Sequence, residues 1–284
     1  MKKEAETGSV FSVDSFAHGL AFGKHTEDGE LDRRSTYALR INEQGELINL
    51  RSRYLFDREG QFLNLESNLQ RLSRQGILAN STVYFGVCTD PFMPFDGKFD
   101  TSMRFLQLFE RFAPGRLIVQ TRSPLVVIAM PVFKKLGDRL NVTIGLETCD
   151  EKSAKRYTPE LPGVAERLKL SSALRHFGIV VNMQVSPILP YGDWRKDSAA
   201  FAEILCKHAD NIFIKSLVDG TVQSERRVKN SALGQKLALD HKYHWLRPDA
   251  ASQLMNAVEH IAPEKLIEPK KPKVKAKQLE IFAA

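Results

Sequence analysis

The side chains best suited to hold a metal or to attack an electrophile are three cysteines, Cys88, Cys149 and Cys206, and two short histidine motifs. The thiols are too widely spaced for a disulfide scaffold or a Cys-x-x-Cys metal knuckle. They read as buried or semi-buried free thiols in a reducing compartment. Cys206-x-His208 falls in a helical stretch, where positions two apart point in different directions. His241-x-x-His244 has an i, i+3 spacing that could chelate, but no acidic third ligand stands at a defined distance from it. Both motifs read as solvated surface histidines.

The chain that must position these groups has 284 residues and 32.1 kDa, enough for one large α/β domain or two small ones. Its 43% hydrophobic and 26% charged residues place it among ordinary globular proteins. No apolar run approaches the roughly 20 residues needed to cross a bilayer. The opening MKKEAETGSVFSV has the lysines of a signal peptide but no apolar core behind them, so a soluble, cytoplasmic protein is expected. The net charge is +7, and residues 264–284 carry six lysines against three glutamates. The body is therefore only mildly basic, which permits contact with nucleic acid without requiring it.

From residue 80 onward, strand-like and helix-like segments alternate. VYFGVC (83–88), LIVQT (117–121), NVTIGLET (141–148), IVVNMQV (179–185) and NIFIK (211–215) are short apolar runs, and VFSV (10–13) could be a first strand. Between them, TSMRFLQLFERF (101–112) places Phe105, Leu108, Phe109 and Phe112 on one helical face, and PVFKKLG (131–137) is a short helix closed by Gly137. One long helix carries Val164, Leu168 and Leu174 to an end near Gly178, and another runs through FAEILCKH (201–208). Apolar strands joined by helices imply a mostly parallel sheet covered on both faces, and right-handed crossovers curl it one way. The expected fold is a partial (β/α)6 barrel over residues 1–262, with its chemistry at the carboxyl ends of the strands. Residues 36–56, with alternating apolar positions around Gln44-Gly45, read as an inserted hairpin, and LNLESNLQRLSRQG (63–76) as the helix before the second strand. A further helix is expected through 249–261. Residues 263–284, rich in lysine and proline, read as a disordered basic tail.

Several strand ends, taken in order, resemble the spore photoproduct lyase and DNA repair photolyase branch of the radical S-adenosylmethionine (SAM) superfamily. GVCTDPFMPFD (86–96) resembles that branch's strand followed by Thr-Asp-Pro-aromatic-x-Pro, and QTRSPLVV (120–127) its Thr-Lys-Ser segment, with Arg122 where lysine is usual. TIGLETCDEKSAKRYTPELPGVAERLKLSSALRHFGI (143–179) resembles its Ser-Ile-Thr-Thr strand, Glu-Pro turn, Arg-Leu helix and Ala-Gly-Ile helix end, and VSPILPY (185–191) its Pro-Ile-Ile-Pro strand end. The likeness covers roughly residues 80–215, and order and spacing carry it more than any one piece.

The resemblance implies a 4Fe–4S cluster held by Cys-x-x-x-Cys-x-x-Cys after the first strand. Here that place is taken by SFAHGLAFGKH (15–25), and the three cysteine positions fall on Phe16, Leu20 and Gly23. No Cys-x-x-x-Cys-x-x-Cys occurs anywhere in the chain, and a cluster needs thiolates. Thr158 replaces the glutamate of the Glu-Pro turn, Gly145 the strand's serine, and Glu147 enters near the barrel mouth. Without a cluster nothing donates the electron that cleaves SAM reductively, so that reaction is not expected. SAM binding is left open, because this family's contacts to it are largely made by backbone. Cys88 and Cys149, with His18, are the remaining weak candidates for a metal, and free structural thiols are the favoured reading of both cysteines.

The end of the chain, QLEIFAA (278–284), resembles the peptide that bacterial proteins insert into a pocket of the DNA sliding clamp. Gln278 would be the polar anchor, and Leu279, Ile281 and Phe282 would fill the apolar pocket. Three readings follow. In the first, the protein is a cluster-less, nucleic-acid-associated binding or scaffold protein tethered to the clamp. Thr89, Asp90, Thr121, Arg122 and Ser123 then line a vestigial pocket, with Glu147 and Thr148 beside them. In the second it is an active enzyme, either a radical SAM lyase with a partner-supplied cluster or a barrel running polar chemistry with Asp90, Glu147 and Arg122. In the third only the fold is shared.

Overall fold

The structure is a computed structural model that describes residues 10–16, 19–24, 39–41, 47–49, 58–86, 90–93 and 98–267. Nine strands are described: β1 Val10–Phe16, β2 Gly19–Lys24, β3 Leu39–Ile41, β4 Leu47–Asn49, β5 Thr82–Phe85, β6 Arg116–Thr121, β7 Leu140–Gly145, β8 Val180–Val185 and β9 Asn211–Ile214. The helices are α1 Arg58–Arg74, α2 Lys98–Arg111, α3 Met130–Leu136, α4 Glu151–Tyr157, α5 Val164–His176, α6 Ser198–His208, α7 Val222–Lys229, α8 Ala232–Leu239 and α9 Ser252–Ile261.

Seven strands form one sheet in the order β2-β1-β5-β6-β7-β8-β9. All neighbours from β1 to β9 run parallel, and only β2, paired with β1, is antiparallel. The expected partial barrel of six parallel strands is therefore present, with an extra strand on its first edge. β3 and β4 pair as a separate antiparallel hairpin, as the alternation around Gln44-Gly45 predicts. Every residue of β7 is buried, because helices cover one face of the sheet and the curled interior the other.

Phe85 leads the packing between sheet and helix. It is fully buried and meets Phe105 and Phe109 of α2 edge-on, with centroids 6.1 and 6.2 Å apart. Phe112, expected on the same face, lies just past the end of α2 and is only half-buried.

Three expectations need correction. The second strand stops at Phe85 rather than Cys88, since Gly86 turns the chain at φ +91°. The strand after α3 stops at Gly145, not Thr148. The long helix that carries Val164, Leu168 and Leu174 is α5, as expected, and the shorter α4 stands before it, parted from it by Pro159 and Pro162, which cannot continue the backbone ladder. Glu166 reaches back to accept the Gly163 N–H at 3.0 Å and so restarts the helix. Finally, residues 263–267 belong to the folded body. Leu266 bridges Ile212 in parallel, the Ile267 N–H donates to the Ile212 carbonyl at 2.8 Å, and Lys265 Nζ caps the carbonyls of Cys206 and Ala209. Residues 268–284, with the QLEIF peptide, lie outside the described residues.

Candidate functional site

Five of the polar residues singled out in the sequence, Asp90, Thr121, Arg122, Ser123 and Glu147, meet where β5, β6 and β7 end. Gly86 makes this possible: a Cβ there would stand 2.7 Å from the Gln120 carbonyl oxygen, so only glycine lets the chain turn so close to β6. Asp90 lies against the end of β6. Its Oδ1 accepts from the Phe92 N–H at 3.0 Å and the Thr121 hydroxyl at 2.8 Å, while Oδ2 accepts from the Arg122 N–H at 2.6 Å. Thr121 Oγ1 also accepts from the Ser123 N–H at 2.9 Å, and Ser123 Oγ accepts from the Leu125 N–H to open the 3-10 turn over 124–129. Thr148 is turned elsewhere: its hydroxyl donates to the Pro190 carbonyl at 2.6 Å and accepts from the Asp150 N–H at 3.1 Å. These hydroxyls, all buried, hold loops in place rather than face a ligand. Thr89 and Cys88 lie outside the described residues.

Glu147 is the centre of the site. It is 2% exposed, so it is not part of a solvated rim. Arg122 donates to its Oε1 from Nε at 2.7 Å and stands 2.6 Å away at Nη2, while Arg167 Nη1 donates to Oε2 at 2.7 Å. Arg167 is wholly buried and also donates from Nη1 to the Gly145 carbonyl at 2.9 Å; its Nη2 is buried without a hydrogen-bond partner among the described residues. Burial pushes the Glu147 carboxyl up, but the Arg122 and Arg167 guanidiniums and its hydrogen bonds outweigh it and hold it below the usual carboxylate range. At neutral pH Glu147 is an ion between two cations, and a poor proton acceptor.

Sequence reasoning noticed Arg167 only within the resemblance. Its signal was available: Val164, Arg167, Ser171 and Leu174 follow a three-four-three spacing and are all buried on α5. An arginine on a buried helical stripe requires a buried acid, and Glu147 is that acid.

Gly145 leaves the space through which Arg122 reaches it. A Cβ at this position would lie 2.7 Å from Arg122 Nε and 2.8 Å from its Cζ. Gly145→Ala is expected to push the guanidinium off Glu147 and cost about 1–2 kcal/mol. Chemical denaturation would measure it, and the cost should vanish in an Arg122→Ala background. Equal costs in both backgrounds would refute this account.

The remaining metal and nucleophile candidates are not brought together. The half-buried Cys149 thiol is pushed up to about 11, chiefly by burial, so it stays protonated at neutral pH. Burial also raises Cys206, more than the nearby Lys265 lowers it. Among the described residues no group of three His, Cys, Asp or Glu side chains is placed to hold a metal. The two histidine motifs are not simply solvated. His208 Nδ1 lies 3.0 Å from Ser172 Oγ, and His244 stacks on Trp194 with its Nε2 buried. His241, by contrast, is exposed and 3.2 Å from the Tyr243 hydroxyl.

The segment where the resemblance places a cluster holds the paired strands β1 and β2. Phe16 ends β1 opposite Gly19, while Leu20 and Gly23 lie in β2 opposite Ser15 and Ser12. None of the three positions offers a sulfur, so the residues present do not fit a 4Fe–4S cluster. His18 lies outside the described residues.

No family model matches the chain. An uncharacterized protein of Acidianus two-tailed virus, ORF301, is 27% identical over 157 residues, 53% of this chain and 50% of the relative. The match thus spans about half the length of that viral protein. Among solved structures, a mutant spore photoproduct lyase superposes with a TM-score of 0.54 at 9% identity, over 81% of this chain and 78% of that one. A second mutant of that enzyme, with bound AdoMet and a dinucleoside spore photoproduct, gives 0.52 at 10% identity over 75% and 68%. The chain shares the fold of spore photoproduct lyase, and at these identities the likeness is one of fold alone.

Proposed function

We propose that this protein is a nucleic-acid-associated binding or scaffold protein, built on a radical SAM-type barrel that has lost its cluster and tethered to a DNA sliding clamp by QLEIF. The observation that carries the loss is the absence of any sulfur at Phe16, Leu20 and Gly23, with no Cys-x-x-x-Cys-x-x-Cys elsewhere. The strand ends agree with it. Asp90 is committed to the backbone of its neighbours, and Glu147 is neutralised by Arg122 and Arg167, which leaves little with which to run acid–base chemistry.

The nucleic-acid part rests on charge and on kinship of fold. Residues 215–250 hold seven Lys or Arg against four Asp or Glu, and 264–284 hold six against three. These two segments therefore contain six of the seven net positive charges, and the rest of the chain is close to neutral. The solved relative by fold holds a dinucleoside lesion.

Anaerobic reconstitution of the full chain with iron and sulfide tests the first part. Negligible iron and no brown chromophore are expected. About four irons per chain with matching sulfide, lost in a Cys88→Ala/Cys149→Ala variant, would overturn the reading. The tether is tested by binding of the full chain to a bacterial sliding clamp. Leu279→Ala/Phe282→Ala is expected to weaken it by at least about 10-fold, and equal binding by the variant would rule the peptide out.

A further inference from the structure

Beyond β8 the chain makes a tight loop whose aromatic residue packs against the core yet stays half open. Gly192 turns the chain at φ +116°, the Asp193 N–H donates to Asp197 Oδ2 at 2.7 Å, and the Arg195 N–H donates to Asp193 Oδ1 at 3.1 Å. Trp194 is thus presented on a rigid loop at the carboxyl end of the sheet, half-buried. Its ring lies parallel to that of His244, with centroids 4.0 Å apart and planes 4° from coincidence. His244 comes from the 3-10 turn over Tyr243–Leu246, which is tied to the same end of the sheet. The buried Trp245 beside it packs edge-on against Tyr191 at 4.9 Å, and the Ala251 N–H donates to Ser216 Oγ just past β9.

Cations surround this ring pair. The Arg195 guanidinium carbon lies 4.9 Å from the Trp194 centroid, and Arg195 and Lys196 are exposed. Arg247, one turn from His244, is held only by an exposed pair with Asp249. A tryptophan serving the core alone would be buried like Trp245. Trp194 instead stays half-open, with the exposed Arg195 guanidinium over its ring. Stacked rings flanked by arginine and lysine are the chemistry that seats unpaired bases, because every base has a π-face and every link carries a phosphate.

We infer that single-stranded nucleic acid docks here, with one base stacked on Trp194 and the flanking phosphates paired with Arg195, Lys196 and Arg247. This rests on the nucleic-acid reading above and gives it a place. The segment 215–250, where basic residues outnumber acidic ones, contains His244 and Arg247.

The test is fluorescence anisotropy of a labelled oligothymidylate with the full chain, against a duplex of equal length. Trp194→Ala is expected to weaken single-strand binding roughly 5- to 100-fold, and Trp194→Phe to retain most of it. Since Trp194→Ala could loosen its loop, Arg195→Ala/Lys196→Ala provides a second variant at exposed positions. It should lower affinity and flatten the salt dependence by about one unit in slope. Wild-type binding that neither Trp194→Ala nor the double variant alters would overturn this site while leaving the nucleic-acid reading intact. No binding of oligothymidylate or duplex by the wild-type chain would overturn both.

Discussion

Arg167→Ala is expected to remove about 3–5 kcal/mol of folding stability, a large part of the roughly 5–15 kcal/mol a domain possesses. The guanidinium is wholly buried, donates to Glu147 and the Gly145 carbonyl, and stands at the meeting of β7 and α5. Removing it leaves Glu147 buried with only the half-exposed Arg122 as counter-charge, and leaves a cavity on the buried stripe of α5. Urea denaturation followed by circular dichroism would measure the loss. The variant Glu147→Gln/Arg167→Met should recover most of it, because a buried pair replaced as a unit leaves no orphan charge. A single variant as stable as the wild type would show that the network does not hold the fold.

Phe85→Ala should cost about 3–5 kcal/mol for a different reason. Phe85 is the last residue of β5 and the ring on which Phe105 and Phe109 of α2 converge edge-on. Alanine deletes the ring and leaves a void that the rigid strand cannot collapse to fill. Phe85→Leu, which refills most of the volume, should cost under about 1.5 kcal/mol. The same denaturation experiment checks both, and near-equal costs for alanine and leucine would argue against a packed void.

Much of the architecture was legible because the strands are short, apolar and rich in β-branched residues. LIVQT, NVTIG and IVVNMQV announce themselves, and their starts fall within a residue or two of β6, β7 and β8. Their ends were less legible. Apolar residues continue past Phe85 and Gly145, but the backbone leaves the sheet there, at Gly86 by its positive φ and after Gly145 to place Glu147. The break between α4 and α5 is written in Pro159 and Pro162, which a helix interior cannot hold. The edge strand β2 stands outside the six-strand parallel pattern, although Leu20-Ala21-Phe22 is an apolar run.

Of the candidate site, the sequence alone determined the composition: Asp90, Arg122 and Glu147 at successive strand ends, and no thiolate at Phe16, Leu20 or Gly23. Spacing along one chain can state which residue types are present, and their absence is as definite as their presence. Only the tertiary structure decided what those residues do. Glu147 became a buried ion rather than a rim carboxylate because Arg122 from β6's end and Arg167 from α5 close on it from two sides, 25 and 20 residues away along the chain. His244 became half of a ring stack because Trp194 lies beside it in space, though about fifty residues before it in the chain. Burial and ion pairing depend on distance in three dimensions, and periodicity reports only which face of its own element a residue occupies.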